Sequence, residues 1–289
     1  MVNVIDGSLV RTLIAQQFPE LSHLPVRPVR KQGHDNRTFR LGDELSVRLP
    51  SSPSYADAVE KEATALATLR NLSVQTPEIV ALGEPSDDYP LPWSIRRWLP
   101  GTTWEEADVL DRVGLAKALG ELLVELRSLP ADVGLYAGRH SFFRGCHPSV
   151  YGDEVATSLS LLKGKAEAER CLKIWQEGMR SVWTDLPVWF HGDLAVGNVL
   201  MTGEKLSALI DFGACGVGDP ACDYAIAWTY FDADERQHFR ASIEVDEGTW
   251  RRAKSWALWK ALASLAGSSA PDTNGIQARA LGEILRDET

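Results

Sequence analysis

The segment His191-Gly-Asp193-Leu-Ala-Val-Gly-Asn198-Val-Leu-Met is followed closely by Leu209-Ile-Asp211-Phe-Gly213. Asn198 and Asp211 offer hard oxygen donors of the kind that Mg2+ prefers alongside water and phosphate. Asp193 stands five positions before Asn198, and the whole arrangement lies between short runs rich in β-forming residues. Residues of these types could serve phosphoryl transfer, which requires a hydroxyl aligned with phosphorus and a means of neutralising the spreading charge. Taken singly, the residues have plainer readings. Asp and Asn beside Gly are common in turns, and a lone histidine is usually a buried one with satisfied nitrogens. A metal hydrolase built on His191 and Asp193 is the weaker alternative, because none of the other five histidines stands at a recognisable ligand spacing.

An Asp, an Asn five positions on and an Asp-Phe-Gly after a short hairpin resemble the protein-kinase pattern. From roughly Gly33 to Cys222, with Asp223 closing the match, the chain resembles the aminoglycoside phosphotransferase family of small-molecule kinases. The resemblance implies an α+β, two-lobed protein-kinase-like fold, with a strand-rich N-terminal lobe (1–99) and a mostly helical C-terminal lobe (100–289). It implies ATP, with GTP left open, and Mg2+ as cofactors. The γ-phosphate would pass to a hydroxyl of a small molecule, aminoglycoside-like or of the macrolide, choline, homoserine or methylthioribose type. By its match, Asp193 takes or orients the hydroxyl proton, Asn198 and Asp211 hold the metal, and His191 supports the loop. Gly218-Asp219-Pro220-Ala-Cys222-Asp223 matches a further element. Asp219 before Pro220 reads as a helix N-cap, and Asp223 as the tie between that helix and the catalytic loop.

On the nucleotide side, Lys31-Gln-Gly33-His-Asp-Asn36 stands where the family has a loop over the phosphates, and with one glycine it reads equally as a polar hairpin turn. Where a kinase carries its phosphate-holding lysine, this chain has Arg48, a planar fork that suits phosphate but does not interchange with lysine. The expected helix partner of Arg48 is Glu62, with Glu60 as the alternative and Lys61 on a solvated face. The Arg48 departure motivates a competing reading, a nucleotide-binding module without catalysis. Trp98, in the segment that matches the family's hinge, would stack near the base or close the sheet's core.

These residues need a framework. Ser8 is expected to cap a first helix with Leu9, Val10, Leu13, Ile14 and Phe18 on one face. Extended runs follow at Thr38–Leu41 and Leu45–Leu49, joined by a Gly42-Asp43 turn, then a helix from about Tyr55 to Leu69. Further strands are expected near Glu78–Leu82 and Trp93–Trp98, with Pro100-Gly101 closing the pattern. Val109, Val113, Ala116, Leu119, Leu123 and Leu126 mark a long helix, and Ile174, Trp175, Met179 and Val182 the end of another. Short strands at Val188–Phe190, Val199–Met201 and Ala208–Ile210 flank the chemistry, and helices resume near Cys222.

Forty acidic residues against thirty basic ones give a net charge of −10, which disfavours nucleic acid and anionic membrane surfaces as partners. The four cysteines lack zinc-site spacing and read as reduced thiols; with no secretory leader and no long apolar run, the expectation is a cytoplasmic enzyme. Nothing in the sequence sets an oligomeric state. Carboxylates gather at Glu105, Glu106, Asp108 and Asp111, and again at Asp232, Asp234, Glu235, Glu244, Asp246 and Glu247. They read as solvated helix starts or as the lining for a cationic acceptor. Trp250, Trp256 and Trp259 read as core, or as pocket for a less polar acceptor.

Overall fold

The computed structural model describes residues 4–161, 164–269 and 272–287. The chain opens with α1 (Gly7–Gln17), and its N-cap is Asp6, whose carboxylate accepts from Ser8 N at 2.9 Å and Leu9 N at 3.0 Å. Ser8, the expected cap, therefore lies one turn position inside the helix. The strands β1 (Val26–Pro28), β2 (Asn36–Leu41) and β3 (Leu45–Pro50) precede α2 (Asp57–Leu69), and β4 (Ile79–Gly83) and β5 (Trp93–Arg97) follow it. All five form one antiparallel sheet in the order β1-β2-β3-β5-β4. Gly42 turns β2 into β3 at φ +62°, a conformation glycine reaches without steric cost.

Strand alternation decides what each face of this sheet carries. Leu45, Val47, Leu49, Trp93 and Ile95 point to one side and join Val10, Leu13 and Ile14 of α1 in a closed apolar cluster. Ser46, Arg48, Ser94 and Arg96 point to the other, and the register sets Arg48 opposite Ser94 and Ser46 opposite Arg96. Two arginines thus share the face turned toward α2.

Beyond Pro100 come β6 (Thr102–Thr103), α3 (Arg112–Ser128), α4 (Gly152–Leu161) and α5 (Lys165–Gly178). Next are β7 (Val188–Phe190), β8 (Val199–Thr202), β9 (Lys205–Leu209) and β10 (Gly216–Gly218). The chain ends in α6 (Ala221–Tyr224), α7 (Ile226–Thr229), α8 (Ala233–Ile243), α9 (Glu247–Leu265) and α10 (Ile276–Arg286). The strands make two small sheets, β6-β8-β9 and β10-β7. Val109 lies before α3, because Asp111 caps that helix through Gly114 N, and Val182 lies beyond α5 and is 63% exposed. The carboxylates Asp111, Asp232 and Asp246 are N-caps, as solvated helix starts should be.

The larger core gathers around α9, which buries Trp250, Trp256 and Trp259 together with Leu258 and Leu262. Ala65, Leu66 and Leu69 of α2 belong to this core rather than to the cluster under α1. Gln75 reinforces the junction by accepting from Leu209 N and donating to Ser207 O, both at 3.0 Å. The four cysteines are free thiols, and among the described residues no helix is long and apolar enough to cross a membrane.

Candidate active site

Strand β7 is short, buried and paired with β10, and it delivers His191 into the interior at 0% exposure. His191 Nε2 donates to Ile210 O at 2.9 Å, which leaves Nδ1 to accept from Asp193 N at 3.2 Å. The ring therefore staples the start of the loop to Ile210, between the end of β9 and Asp211. From below, the buried Asp223 carboxylate accepts from His191 N at 2.6 Å and Gly192 N at 2.8 Å. Burial raises the Asp223 carboxyl above its usual range, with His191 and the two amides opposing the rise. Gly192 adopts φ +84°, and a Cβ there would lie 2.5 Å from Ala214 O, so only glycine passes this point.

After that turn Asp193 is exposed at the loop's tip. Asn198 closes the loop on itself, its Nδ2 donating to Asp193 O at 2.8 Å and Asp193 Oδ2 at 3.3 Å. Its own carbonyl accepts from Ile210 N at 2.9 Å. The Asn198 amide oxygen takes no hydrogen bond among the described residues.

Asp211 follows in the left-handed region at φ +67°, a conformation that costs a non-glycine residue about 1–2 kcal/mol and that aspartate tolerates better than most. Arg48 Nη2 donates to Asp211 Oδ1 at 2.5 Å. The expected pairing of Arg48 with Glu62 is altered here. Glu62, 2% exposed, is gripped by Arg96 through Nη1 at 2.9 Å and Nη2 at 2.8 Å, while Arg48 Nη1 stands 3.7 Å away. A two-pronged guanidinium contact outcompetes a single longer one. Glu62 also accepts from Phe212 N at 3.1 Å, which ties α2 to the turn that follows Asp211. Burial alone would raise the Glu62 carboxyl, but Arg96 and then Arg48 outweigh it and hold it well below its usual range. The Arg48 cation is lowered by burial and raised further by Asp211 and Glu62, so it stays charged.

Several expectations change with these contacts. Glu60 is exposed and takes no part. Lys61 is not on a solvated face: its ammonium donates to His140 O at 3.0 Å and Gly213 O at 2.5 Å, and burial lowers its pKa. Gly33 is exposed in an ordinary conformation, with nothing nearer than 3.7 Å to an added Cβ, so the backbone here does not demand glycine. Trp98 is half-buried under the Arg40 guanidinium, 4.1 Å from the ring centroid. Asp219 is not the N-cap of α6, which is Pro220; it accepts from Ala221 N at 3.0 Å, and its main partner is Arg252, whose Nε lies 2.6 Å from Oδ2 in a fully buried pair.

Sequence reasoning passed over Arg96, Arg252 and Asp35. Asp35 approaches from the loop between β1 and β2, where burial and then Asp211 push its carboxyl up. The Asn36 side-chain amide lies against Arg48, and an orientation with its oxygen toward the guanidinium would accept from Nε at 3.1 Å and Nη2 at 3.0 Å. The donor set fits Mg2+. Asn198 and Asp211 are hard oxygen donors, and among the described residues no cluster of three or more His, Cys, Asp or Glu would cage a cation, so water and phosphate would fill the remaining positions.

The sequence profile described as the phosphotransferase enzyme family matches residues 26–256. No curated protein sequence matches the chain. Among solved structures, the GDP complex of wild-type aminoglycoside 2'-phosphotransferase-IIIa is 20% identical, with a TM-score of 0.77 over 99% of this chain and 100% of that one. A streptomycin–ATP ternary complex of APH(2")-IIa is 18% identical, with a TM-score of 0.62 over 99% and 97% of the two chains. The macrolide 2'-phosphotransferase MphH from Brachybacterium faecium, as the apoenzyme, is 19% identical, with a TM-score of 0.62 over 96% and 97%. At these identities the likeness establishes the fold, a strand-rich lobe joined to a helical one. With most of its length matched by the profile, the chain belongs to the phosphotransferase enzyme family and is a phosphotransferase that uses an alcohol group as acceptor.

Proposed function

We propose that this enzyme moves the γ-phosphate of ATP or GTP to a hydroxyl of a small molecule in the cytoplasm, with Asp193 as the residue that orients the hydroxyl and receives its proton. The observation that carries this reading is the convergence of Asp193, Asn198 and Asp211 on one edge, faced by Arg48 from the sheet. Asn198 and Asp211 would hold Mg2+, which when bound neutralises charge on the transferring phosphate. Arg48 offers a charged fork to the phosphates, Glu62 and Arg96 fix the face on which it sits, and Trp98 closes the segment beside the base. His191, Asp219 and Asp223 keep the loop in register by the bonds described above. The similarity to structures holding GDP and ATP supports a nucleotide donor without choosing the base.

An aminoglycoside-like acceptor, and with it a role in antibiotic resistance, is supported by the kinship with aminoglycoside and macrolide phosphotransferases. Against a polycation stands the consumption of the carboxylates within the protein: Glu105 by Lys31, Glu235 by Arg112, and Glu247 by Arg240 and Arg251. The test is a mass-spectrometric screen for phosphate added to aminoglycosides, macrolides, amino alcohols and sugars, run with wild type and Asp193→Asn. Transfer that vanishes in Asp193→Asn while Mg-nucleotide affinity persists supports the reading. Equal turnover by the variant removes Asp193 from the chemistry.

A further inference from the structure

Next to the catalytic loop lies a cluster of aromatic rings and cations that phosphoryl transfer itself does not use. Gly145, at φ +80°, is wedged against Phe190, where an added Cβ would sit 2.0 Å from the ring, and its carbonyl accepts from Asp219 N at 2.8 Å. Phe142 O, just upstream, accepts from Tyr151 Oη at 2.7 Å. Arg144 is thereby pinned beside the strand that ends at His191. Its guanidinium lies 4.5 Å from the Trp259 centroid, 5.2 Å from Trp256 and 5.9 Å from Tyr151, and Trp259 itself stacks on Tyr151 at 4.0 Å.

Lys260 follows Trp259 on α9, half-buried, with Ser269 Oγ at 3.1 Å as its hydrogen-bond partner. Burial lowers the Lys260 pKa and Arg144 lowers it further, while Asp193 and Glu154 oppose the fall; the Asp193 carboxylate is thus an electrostatic neighbour of this ammonium. Neither cation has a carboxylate within ion-pairing distance among the described residues. Glu154, the other acid that acts on Lys260, is occupied by Trp259 Nε1 and Ser268 Oγ, both at 2.8 Å. The buried arginines differ, since Arg96, Arg236 and Arg252 are each matched to a carboxylate while Arg144 is only half-buried.

We propose that Arg144 and Lys260 recognise an acidic group on the acceptor, so that the enzyme phosphorylates a hydroxyl-bearing small molecule that carries a carboxylate or a phosphate. The proposal rests on the reading of Asp193 as the residue that meets the acceptor hydroxyl. Two cations without a carboxylate partner, Lys260 within electrostatic reach of Asp193 and Arg144 stacked on the same tryptophan, repel an amine and attract an anion, and an arginine that gives Nη1 to Phe142 O at 3.5 Å keeps further N–H groups for that anion. A carboxylate or phosphate bound there would leave the rest of the acceptor facing Asp193.

The test uses the full chain with Mg2+ and a non-hydrolysable ATP analogue, titrated calorimetrically with glucuronate, glucose 6-phosphate, glucose, glucosamine and kanamycin. We expect at least one acid to bind tenfold or more tighter than glucose and glucosamine, and the two acids separate carboxylate from phosphate recognition. Arg144→Met and Lys260→Met should each erase that preference, and Arg144→Lys should keep part of it, in proteins that retain the wild-type melting temperature. Tighter or equal binding of glucosamine or kanamycin, binding by neither acid, or an unchanged ranking in the folded variants would overturn the proposal. Because this readout is affinity, it stands apart from the transfer reaction: absence of any phosphorylated product with the ranking intact counts against the phosphotransfer reading alone.

Discussion

Arg48 Nη2 lies 2.5 Å from Asp211 Oδ1, joining the third strand of the sheet to the loop proposed to hold the metal. A conventional pairing of Arg48 with Glu62 would have pointed this cation at α2. Arg96 instead occupies both oxygens of Glu62 and leaves Arg48 turned toward the cleft. The strand-borne cation and the helix-borne acid have each acquired a second partner.

Arg48 should therefore matter more for nucleotide than for folding. Arg48→Met is expected to lower kcat/KM for the nucleotide by about 10- to 100-fold, the worth of a charge-assisted hydrogen bond. Arg48→Lys should recover part of it. Steady-state kinetics with the nucleotide varied would check this, and an unchanged nucleotide KM and kcat would show that Arg48 contributes only to the protein's internal network.

Arg96 should show the opposite balance. Arg96→Met strips both strong contacts from a carboxylate that is 2% exposed and leaves only the 3.7 Å approach of Arg48. Breaking a buried pair from one side costs about 3–5 kcal/mol. Urea unfolding should find Arg96→Met less stable than Arg48→Met, and the reverse order would assign the main support of Glu62 to Arg48.

The second buried pair joins Asp219 to Arg252 at 2.6 Å, with Arg252 also donating to Ser181 Oγ at 2.9 Å. Asp219→Ala leaves the guanidinium of Arg252 without its carboxylate and frees the turn before α6. A loss of about 3 kcal/mol in unfolding free energy is expected, from the same uncompensated-charge argument. Because Asp219 N also anchors Gly145 O, fluorescence of Trp256 and Trp259 should report loosening of the loop before global unfolding.

Lys260 gives a pH dependence whose sign can be worked out. Its folded pKa lies below the ordinary 10.5, so between those two values the unfolded chain holds more protons than the folded one, and the Lys260 contribution to stability rises with pH across that window. Affinity for an acidic acceptor should move the other way. It should fall as the ammonium deprotonates, at a pH below 10.5, while affinity for a neutral sugar stays level. Titrations at stepped pH on the wild type and Lys260→Met would separate the two trends.

The mutual placement of Asp193, Asn198 and Asp211 was legible because they are close in sequence. Asp193, Asn198 and Asp211 sit on consecutive strand ends, so spacing alone carries their relationship. Arg96 was not legible: its partner Glu62 is 34 positions away, and the polar pair Ser94 and Arg96 alternating with buried Trp93 and Ile95 was the one local hint. Lys61 misled for the same reason, since a helical face looks solvated until a loop from Gly213 is laid against it. The first helix shows a smaller error. Asp6 and Ser8 are both capping residue types, and local pattern does not decide which residue leaves the helical conformation. The cluster proposed to meet the acceptor was hidden because Arg144, Tyr151 and Trp259 come from separate elements joined only by packing.

The seating of α2 bears on motion. Its residues Ala65, Leu66 and Leu69 are embedded in the helical core, while Glu62, from the same helix, reaches up to Arg96 in the sheet. A separation of the sheet from the helical core would then have to shear five strands across a helix that stays behind, with one carboxylate as the pivot. By the same logic residues 1–99 expressed alone would bare Ala65, Leu66 and Leu69 as an apolar stripe and are expected to aggregate.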